Sequence, residues 1–322
     1  MVAALASAGA EDCLLKRFRF EEPAMGTIFR AEVYALDEGR AQHAVQAAWI
    51  EVHRLNAIFS DYDPESELMR LCRAKPGSKV QLSPDLYRIL QLSGEISRSS
   101  GGAFDVTIGP LKRLWRQSRR DAVMPSAARI QEARAVTGGD KIQLFPDGSA
   151  TLEVDGMRLD LGGIAKGYAA DAVLAILKSH GLDRSLVAAS GDVLAGESPP
   201  GKEGWEVGIA SLDDPDGLNA SILLRNQALS TSGDTQQAAE IAGVTYSHIL
   251  DPKTGIGLSI RRMVNVLAPS SVAADAWATA LSVAGTEGCS LPKEIAFRFE
   301  EASPDGNENQ RERRRNWPSA KE

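Results

Sequence analysis

Two clusters in this 322-residue chain have the residue types and spacing for chemistry on a phosphate. The first is LDLGGIAKGYAAD at 159–171, where a short apolar run tipped by Asp160 meets Gly162 and Gly163 and then a helical pattern carrying Lys166. Glycines at a strand-to-helix junction let a ligand approach the backbone, and the unpaired N–H groups of the helix start favour phosphate. The Asp160 carboxylate and the Lys166 ammonium bracket that turn. No Gly-Lys-Ser/Thr follows four spacers, so this is not the Walker loop. The second cluster is ADAWATA at 274–280. Asp275 and Thr279 stand four apart, which puts both oxygens on one face of a helix. That pair suits a hard cation such as Mg²⁺, although an acid near a helix start is also explained by the helix dipole.

Further segments are less specific. AFDVTIGP at 103–110 sets Asp105 among apolar residues and glycines, either to grip a ring or ribose or to turn the chain between helices. LSTSGD at 229–234 offers small hydroxyls beside glycine, a common way to bind phosphate or a base edge. HILDPKTG at 248–255 contains a plain β-turn signal, and His248 is either a base, a ring contact or a structural histidine. AMGT at 24–27 is uninformative alone, and FSDY at 59–62 is an aromatic stacking element or a helix-end contact.

The elements that must position these residues follow from periodicity. Alternation predicts one or two strands over 18–35, broken at Pro23 and the Met25-Gly26-Thr27 turn. An amphipathic helix is expected over 38–57, then a loop over 58–66 and a second helix from Ser83-Pro84 to Arg98. Residues 126–137 read as helix, and 141–145 and 151–161 as strands around the Asp147-Gly148 turn. A helix follows over 164–180 and stops at Gly181. Strands are expected at 185–189, 205–210, 220–225, 246–250 and 262–268, a last helix at 271–285 and a closing strand at 295–299. The irregular mixture favours α+β over a doubly wound sheet, in a single compact unit.

Composition narrows the class. A hydrophobic content of 43% with 25% charged residues allows a sizeable core. The net charge of −7 argues against a general nucleic-acid binder but leaves a phosphate-bearing small ligand open. Cys13, Cys72 and Cys289 have neither metal-ligand spacing nor the makings of a disulfide framework, and no HExxH pattern occurs among the histidines. No apolar run reaches the ~18 residues of a spanning helix. Residues 1–17 read as a leader, with small residues like those near export cleavage sites but no basic n-region. The acids Glu11 and Asp12 before Cys13 do not fit a lipid-attachment box. The tail, 301–322, reads as charged and disordered.

Taken in order, MGT, FSDY with Ser66-Glu67, AFDVTIGPLKRLW, DLGGIAKGYAAD, SGD, STSGD, HILDPKTG and ADAWATA resemble the ApbE-type flavin transferases over about residues 18–300. The resemblance implies a mixed α/β, T-fold-like core and an enzyme that uses Mg²⁺. The reaction it implies is transfer of FMN from FAD to a threonine hydroxyl of an acceptor redox protein, with release of AMP. It implies a periplasmic or inner-membrane-associated setting. It also implies Mg²⁺ ligation by the side chains of Asp275 and Thr279 and the carbonyls of Gly163 and Ala278. FAD contacts are implied at Met25, Tyr62, Ala103, Phe104, Asp105, Asp160, Lys166, His248 and Leu250, with Asp275 and His248 as catalytic groups and His248 taking the acceptor's proton.

The same residues would also serve an FAD pyrophosphatase, with water in place of threonine, or a non-catalytic FAD-binding protein. Three departures from the family pattern stand out. Ser190 replaces a usual glycine before Gly191-Asp192, Thr235 stands where an aromatic residue is common, and the stretch from DPKTG to the metal helix is one residue short.

Overall fold

The computed structural model describes residues 14–217, 219–233, 239–302 and 311–320. Its frame is an eight-stranded sheet: β1 (Lys16–Ala24), β2 (Thr27–Ala35), β3 (Ser185–Ala189), β4 (Asp192–Ala195), β5 (Gln227–Gly233), β6 (Arg262–Ala268), β7 (Ala296–Glu301) and β8 (Arg311–Arg315). The order across the sheet is the order along the chain, and every neighbouring pair is antiparallel. Each functional insertion therefore leaves the sheet from one strand and returns to the next.

The longest insertion lies between β2 and β3. It carries α1 (Glu38–Phe59), α2 (Glu67–Cys72), α3 (Pro84–Ser99), α4 (Gly109–Asp121), α5 (Ala127–Ala135) and α6 (Ala165–Ser179). A seventh helix, α7 (Ser271–Ala284), joins β6 to β7. Local chemistry starts most of these helices. Asp37 caps α1 by accepting from the Arg40 N–H, and Ser83 caps α3 with Pro84 behind it in the first turn.

Strand alternation divides the molecule into layers. Phe29, Ala31 and Val33 of β2 and Val264, Val266 and Ala268 of β6 face α1, α6 and α7 in the main core. On the opposite face, Leu229 and Leu267 pack against a two-stranded ribbon, Trp205–Gly208 with Ser221–Leu224, through Trp205, Ile222 and Leu224. A third cluster, Leu111, Trp115, Ile241 and Leu250, joins α4 to two short hairpins. Among the described residues no helix is long and apolar enough to cross a membrane.

Several expectations need correction. The strand expected over 151–161 is only Ser149–Leu152; a turn with Gly156 at φ +81° breaks it, and residues 157–161 run on without ladder pairing. No strand covers 246–250, because Val244–Tyr246 and Leu250–Asp251 belong to separate hairpins with His248 between them. α4 was hidden by its Gly-Pro start, yet Pro110 sits in the first turn, where no N–H is missed. β4 and β5 were not expected as strands.

The tail is not disordered throughout. Arg311–Arg315 pairs with β7, where Glu312 meets Arg298 at 2.7 Å and Arg313 meets Glu287 at 2.7 Å. Lys16 and Arg17 of the expected leader belong to β1, while residues 1–13 lie outside the described residues, as do Asp234 and Thr235.

The closest helix contact falls where α6 crosses α7. A Cβ built on Gly167 would lie 2.4 Å from the Ser271 carbonyl oxygen, a backbone atom that cannot step aside. Gly167→Ala is therefore expected to force the helices apart and destabilise the fold by about 1–3 kcal/mol, the usual range for overpacking, as measured by urea unfolding.

Candidate functional site

A cleft of about 790 Å³ opens between the N-terminal end of α6, the β3–β4 turn, β5, α7 and the segment around His248. That volume lies within the range of about 300–1,000 Å³ typical of ligand sites. Ala103, Phe104, Asp105, Asp160, Gly163, Lys166, His248, Leu250, Asp275 and Thr279 all line it. Ten sequence-predicted residues from four separate segments thus meet in one place.

The glycine pair makes the closeness possible. A Cβ on Gly163 would stand 3.0 Å from the Thr279 hydroxyl oxygen and 3.4 Å from the Phe104 ring. One on Gly162 would stand 3.0 Å from both Asp160 Oδ1 and Lys112 Nζ. Ile164 gives α6 no side-chain cap, so its early N–H groups depend on partners elsewhere. Asp275 of α7 supplies one, its Oδ2 accepting from the Gly167 N–H at 3.2 Å.

Lys166 lies between two carboxylates, with its Nζ 3.6 Å from Asp275 Oδ2 and 3.9 Å from Asp192 Oδ2, and it donates to the Gly162 carbonyl at 3.0 Å. Burial opposes its charge, but Asp275 and Asp192 outweigh burial and raise its pKa. Asp192 was not among the expected site residues. Its Oδ1 accepts from the Ser230 hydroxyl across the β4–β5 ladder, whereas Oδ2 is buried with no hydrogen-bond partner. Burial and the Asp275 charge push its carboxyl up to about 7, against Lys166 and Ser230.

Asp192 reaches this point from a two-residue hairpin. Ser190, at φ +58°, holds the left-handed conformation that glycine would adopt more easily. The SGD segment was a signal for this residue, but without β4 and β5 its inward direction could not be assigned.

Asp160 is pinned from the other side. Lys112 Nζ stands at 2.8 Å, the Gly162 N–H at 2.9 Å and an Arg116 nitrogen at 3.4 Å. Burial would raise its carboxyl, but Lys112 and these other partners hold it below the usual range. Lys112 and Arg116 are one helical turn apart on α4, a pair hidden when that helix went unread. Asp105 caps the turn at Val106–Ile108, accepting from the Thr107 N–H at 2.8 Å; burial raises its carboxyl despite that bond.

Met25, Tyr62 and Ala278 do not line the cleft. Met25 sits in the β1–β2 hairpin at φ +50° and packs on the main core. Tyr62 is 77% exposed, with the Arg116 guanidinium 4.6 Å above its ring, and so is tied to Asp160 through Arg116. Ala278 is fully buried, and its carbonyl accepts the Ser282 hydroxyl at 2.9 Å.

Among the described residues no group of three His, Cys, Asp or Glu side chains is arranged to hold a metal. The oxygens of Asp275, Asp192 and Thr279 nevertheless suit a hard cation, which takes hydroxyl and carbonyl oxygens along with carboxylates. Asp192 Oδ2, buried without a hydrogen bond and 3.9 Å from Lys166 Nζ, fits such a donor set.

At the glycine-lined start of α6 the cleft sets Lys112 and Lys166 beside the carboxylates of Asp160, Asp192 and Asp275. The ApbE family model matches residues 25–296, and the chain belongs to that family. It is 31% identical over 271 residues to an FAD:protein FMN transferase of Klebsiella pneumoniae (strain 342), covering 82% of this chain and 77% of that one. It is 29% identical over 302 residues to the protein of the same name from Treponema pallidum (strain Nichols), covering 87% and 83%. The structure superposes on the apo form of the Pseudomonas stutzeri flavinyl transferase ApbE with a TM-score of 0.82 at 28% identity, covering 94% of this chain and 95% of that one. For the ApbE protein of Thermotoga maritima the TM-score is 0.79 at 26% identity, covering 94% and 97%.

His248 lines the cleft with its Nδ1 buried and unpartnered. Burial, followed by the charges of Lys112, Arg119 and Lys166, lowers its pKa to about 4. A depressed histidine favours the fold fully above the ordinary value near 6.5, and that contribution fades as pH falls toward 4. The imidazole proton signals of His248 are expected to titrate near pH 4 by NMR, with no inflection near 6.5.

Proposed function

We propose that this cleft binds FAD and transfers its FMN part to a threonine hydroxyl of an acceptor redox protein, releasing AMP, with Mg²⁺ required. The single observation that carries the reading is the meeting of Lys166, Asp192, Asp275 and Thr279 beside the Gly162-Gly163 turn inside one cleft. Such a transfer makes a bond from the threonine oxygen to the FMN phosphorus and breaks the pyrophosphate bond to AMP. It asks mainly for positioning and charge neutralisation.

Each residue has a part in that task. Lys166 binds the pyrophosphate where the side-chain-free glycine turn lets it approach. Lys112 and Arg116 fix Asp160 toward the ligand. Asp275, Thr279 and Asp192, with the Gly163 carbonyl, would hold Mg²⁺; the Ala278 carbonyl is engaged by Ser282 and is the weaker candidate. When bound, the ion supplies neutralisation of charge on the pyrophosphate oxygens. Phe104 and Leu250 provide apolar wall, and Tyr62 offers one ring face at the rim, since Arg116 covers the other.

His248 is neutral at pH 7 and able to accept the acceptor hydroxyl's proton. The family's acceptors make a periplasmic or inner-membrane-associated setting part of this proposal.

The test mixes the protein with FAD, Mg²⁺ and an acceptor domain bearing a threonine motif, and follows flavin fluorescence on the acceptor in a gel. Labelling is expected to require Mg²⁺ and to fall by roughly 10²–10³-fold in Asp275→Ala, the scale of losing one transition-state charge partner. FMN and AMP without a labelled acceptor would mean hydrolysis instead, and FAD binding without turnover would mean a binding protein.

A further inference from the structure

The geometry points to Asp171 as a positioning residue: its carboxylate, spread across the first two amides of α7, sets that helix in register against α6 and thereby places Asp275 and Thr279 opposite Gly163 and Lys166. Asp171 Oδ1 accepts from the Ser271 N–H at 2.8 Å and Oδ2 from the Val272 N–H at 2.9 Å. Asp171 lies on α6, five residues beyond Lys166, and touches no part of the cleft wall.

Two observations make this more than an ordinary cap. First, α7 already has a suitable local cap residue and does not use it: Ser270 makes no side-chain capping bond. The cap comes instead from a residue 100 positions away. Second, the arrangement is reciprocal. α6 has no side-chain cap of its own, and its Gly167 N–H is taken by Asp275 of α7.

Each helix therefore lends a carboxylate to the other's first turns, one helical turn apart, at the place where Gly167 lets the backbones touch. A bidentate carboxylate fixes both translation and rotation of the amides it holds, which one hydrogen bond does not. Burial raises the Asp171 carboxyl to about 6 against its two N–H partners, a cost a surface serine cap would have avoided.

Shifting α7 by even a fraction of a turn would carry Asp275 away from the Gly167 N–H and Thr279 away from Gly163. The consequence for turnover rests on the proposed function, while the consequence for register does not. The test is hydrogen exchange on the full chain, resolved to segments 163–170 and 270–276, in Asp171→Asn, an isosteric change that keeps one acceptor and turns an amide group toward a backbone N–H.

If Asp171 sets the register, exchange rises about tenfold or more in both segments, including the Gly167 amide that Asp171 does not touch. Alongside, the Mg²⁺ concentration for half-maximal labelling is expected to rise about tenfold, with FAD affinity measured without Mg²⁺ changed less than about twofold. Faster exchange confined to 270–276, with unchanged Mg²⁺ dependence, would reduce Asp171 to a plain cap and overturn the proposal. If Asp171→Asn does not fold, Asp171→Glu is measured in the same way; its extra methylene displaces the contact, so unchanged exchange at Gly167 would again overturn it. A wild-type enzyme indifferent to Mg²⁺ would sink the metal reading above while leaving the exchange result to decide the register.

Discussion

The structure depends on one contact, the crossing of α6 and α7 at Gly167. Without a side chain there, two backbones approach closely enough for Asp275 to reach the amide of one helix and Asp171 the amides of the other. Both helices begin without a local side-chain cap, and a carboxylate of each takes amides in the first turns of the other. Charge-assisted bonds of this kind are worth about 1.5–3 kcal/mol each, enough to matter against a total stability of about 5–15 kcal/mol. The cleft lies directly beside this crossing, since Gly163 just before α6, Lys166 in its first turn and Thr279 on α7 all line it.

Charge in the cleft is arranged rather than merely abundant. In a chain with a net charge of −7, Lys112 and Lys166 line the cleft, and Arg116 reaches Asp160 from beside Lys112 on α4. Each acid there has a different standing. Asp160 is held ionised by its cationic partners, while Asp192 is kept near neutrality by burial and by Asp275. Lys166 meanwhile bridges Asp192 and Asp275. Cationic and acidic side chains thus alternate around the opening, each balanced by its neighbours.

How much of this was legible in the sequence depends on the range of each interaction. α1 and α3 announce themselves through Asp37 and Ser83 and an apolar stripe, all local signals. The residues facing the cleft were found by motif order, which carries spatial information that no single window holds. Asp192 and Ser230 lie in segments the sequence singled out, but their pairing comes from cross-strand register and was not legible; Lys112 and Arg116 were missed because Gly109-Pro110 conceals the start of α4. Met25, Tyr62 and the Ala278 carbonyl stand outside the cleft wall, because the direction of a group at a motif position is set by packing that the motif does not encode. The tail misled for a related reason, since its Glu312 finds Arg298 of β7 and its Arg313 finds Glu287 only after the sheet exists.

The strand order of the sheet has a consequence for how the protein comes into being. Because β1 to β8 follow one another in space as in sequence, most of the sheet can zip from neighbour to neighbour with modest loop closures. The cleft cannot form that way, because Gly167 and Asp275 are 108 residues apart. They meet across a span that contains β3 to β6, so their contact costs more loop-closure entropy than most pairings of neighbouring strands. Competence to hold a ligand is therefore a property of the finished chain, and a partly made molecule carries the motifs without the site.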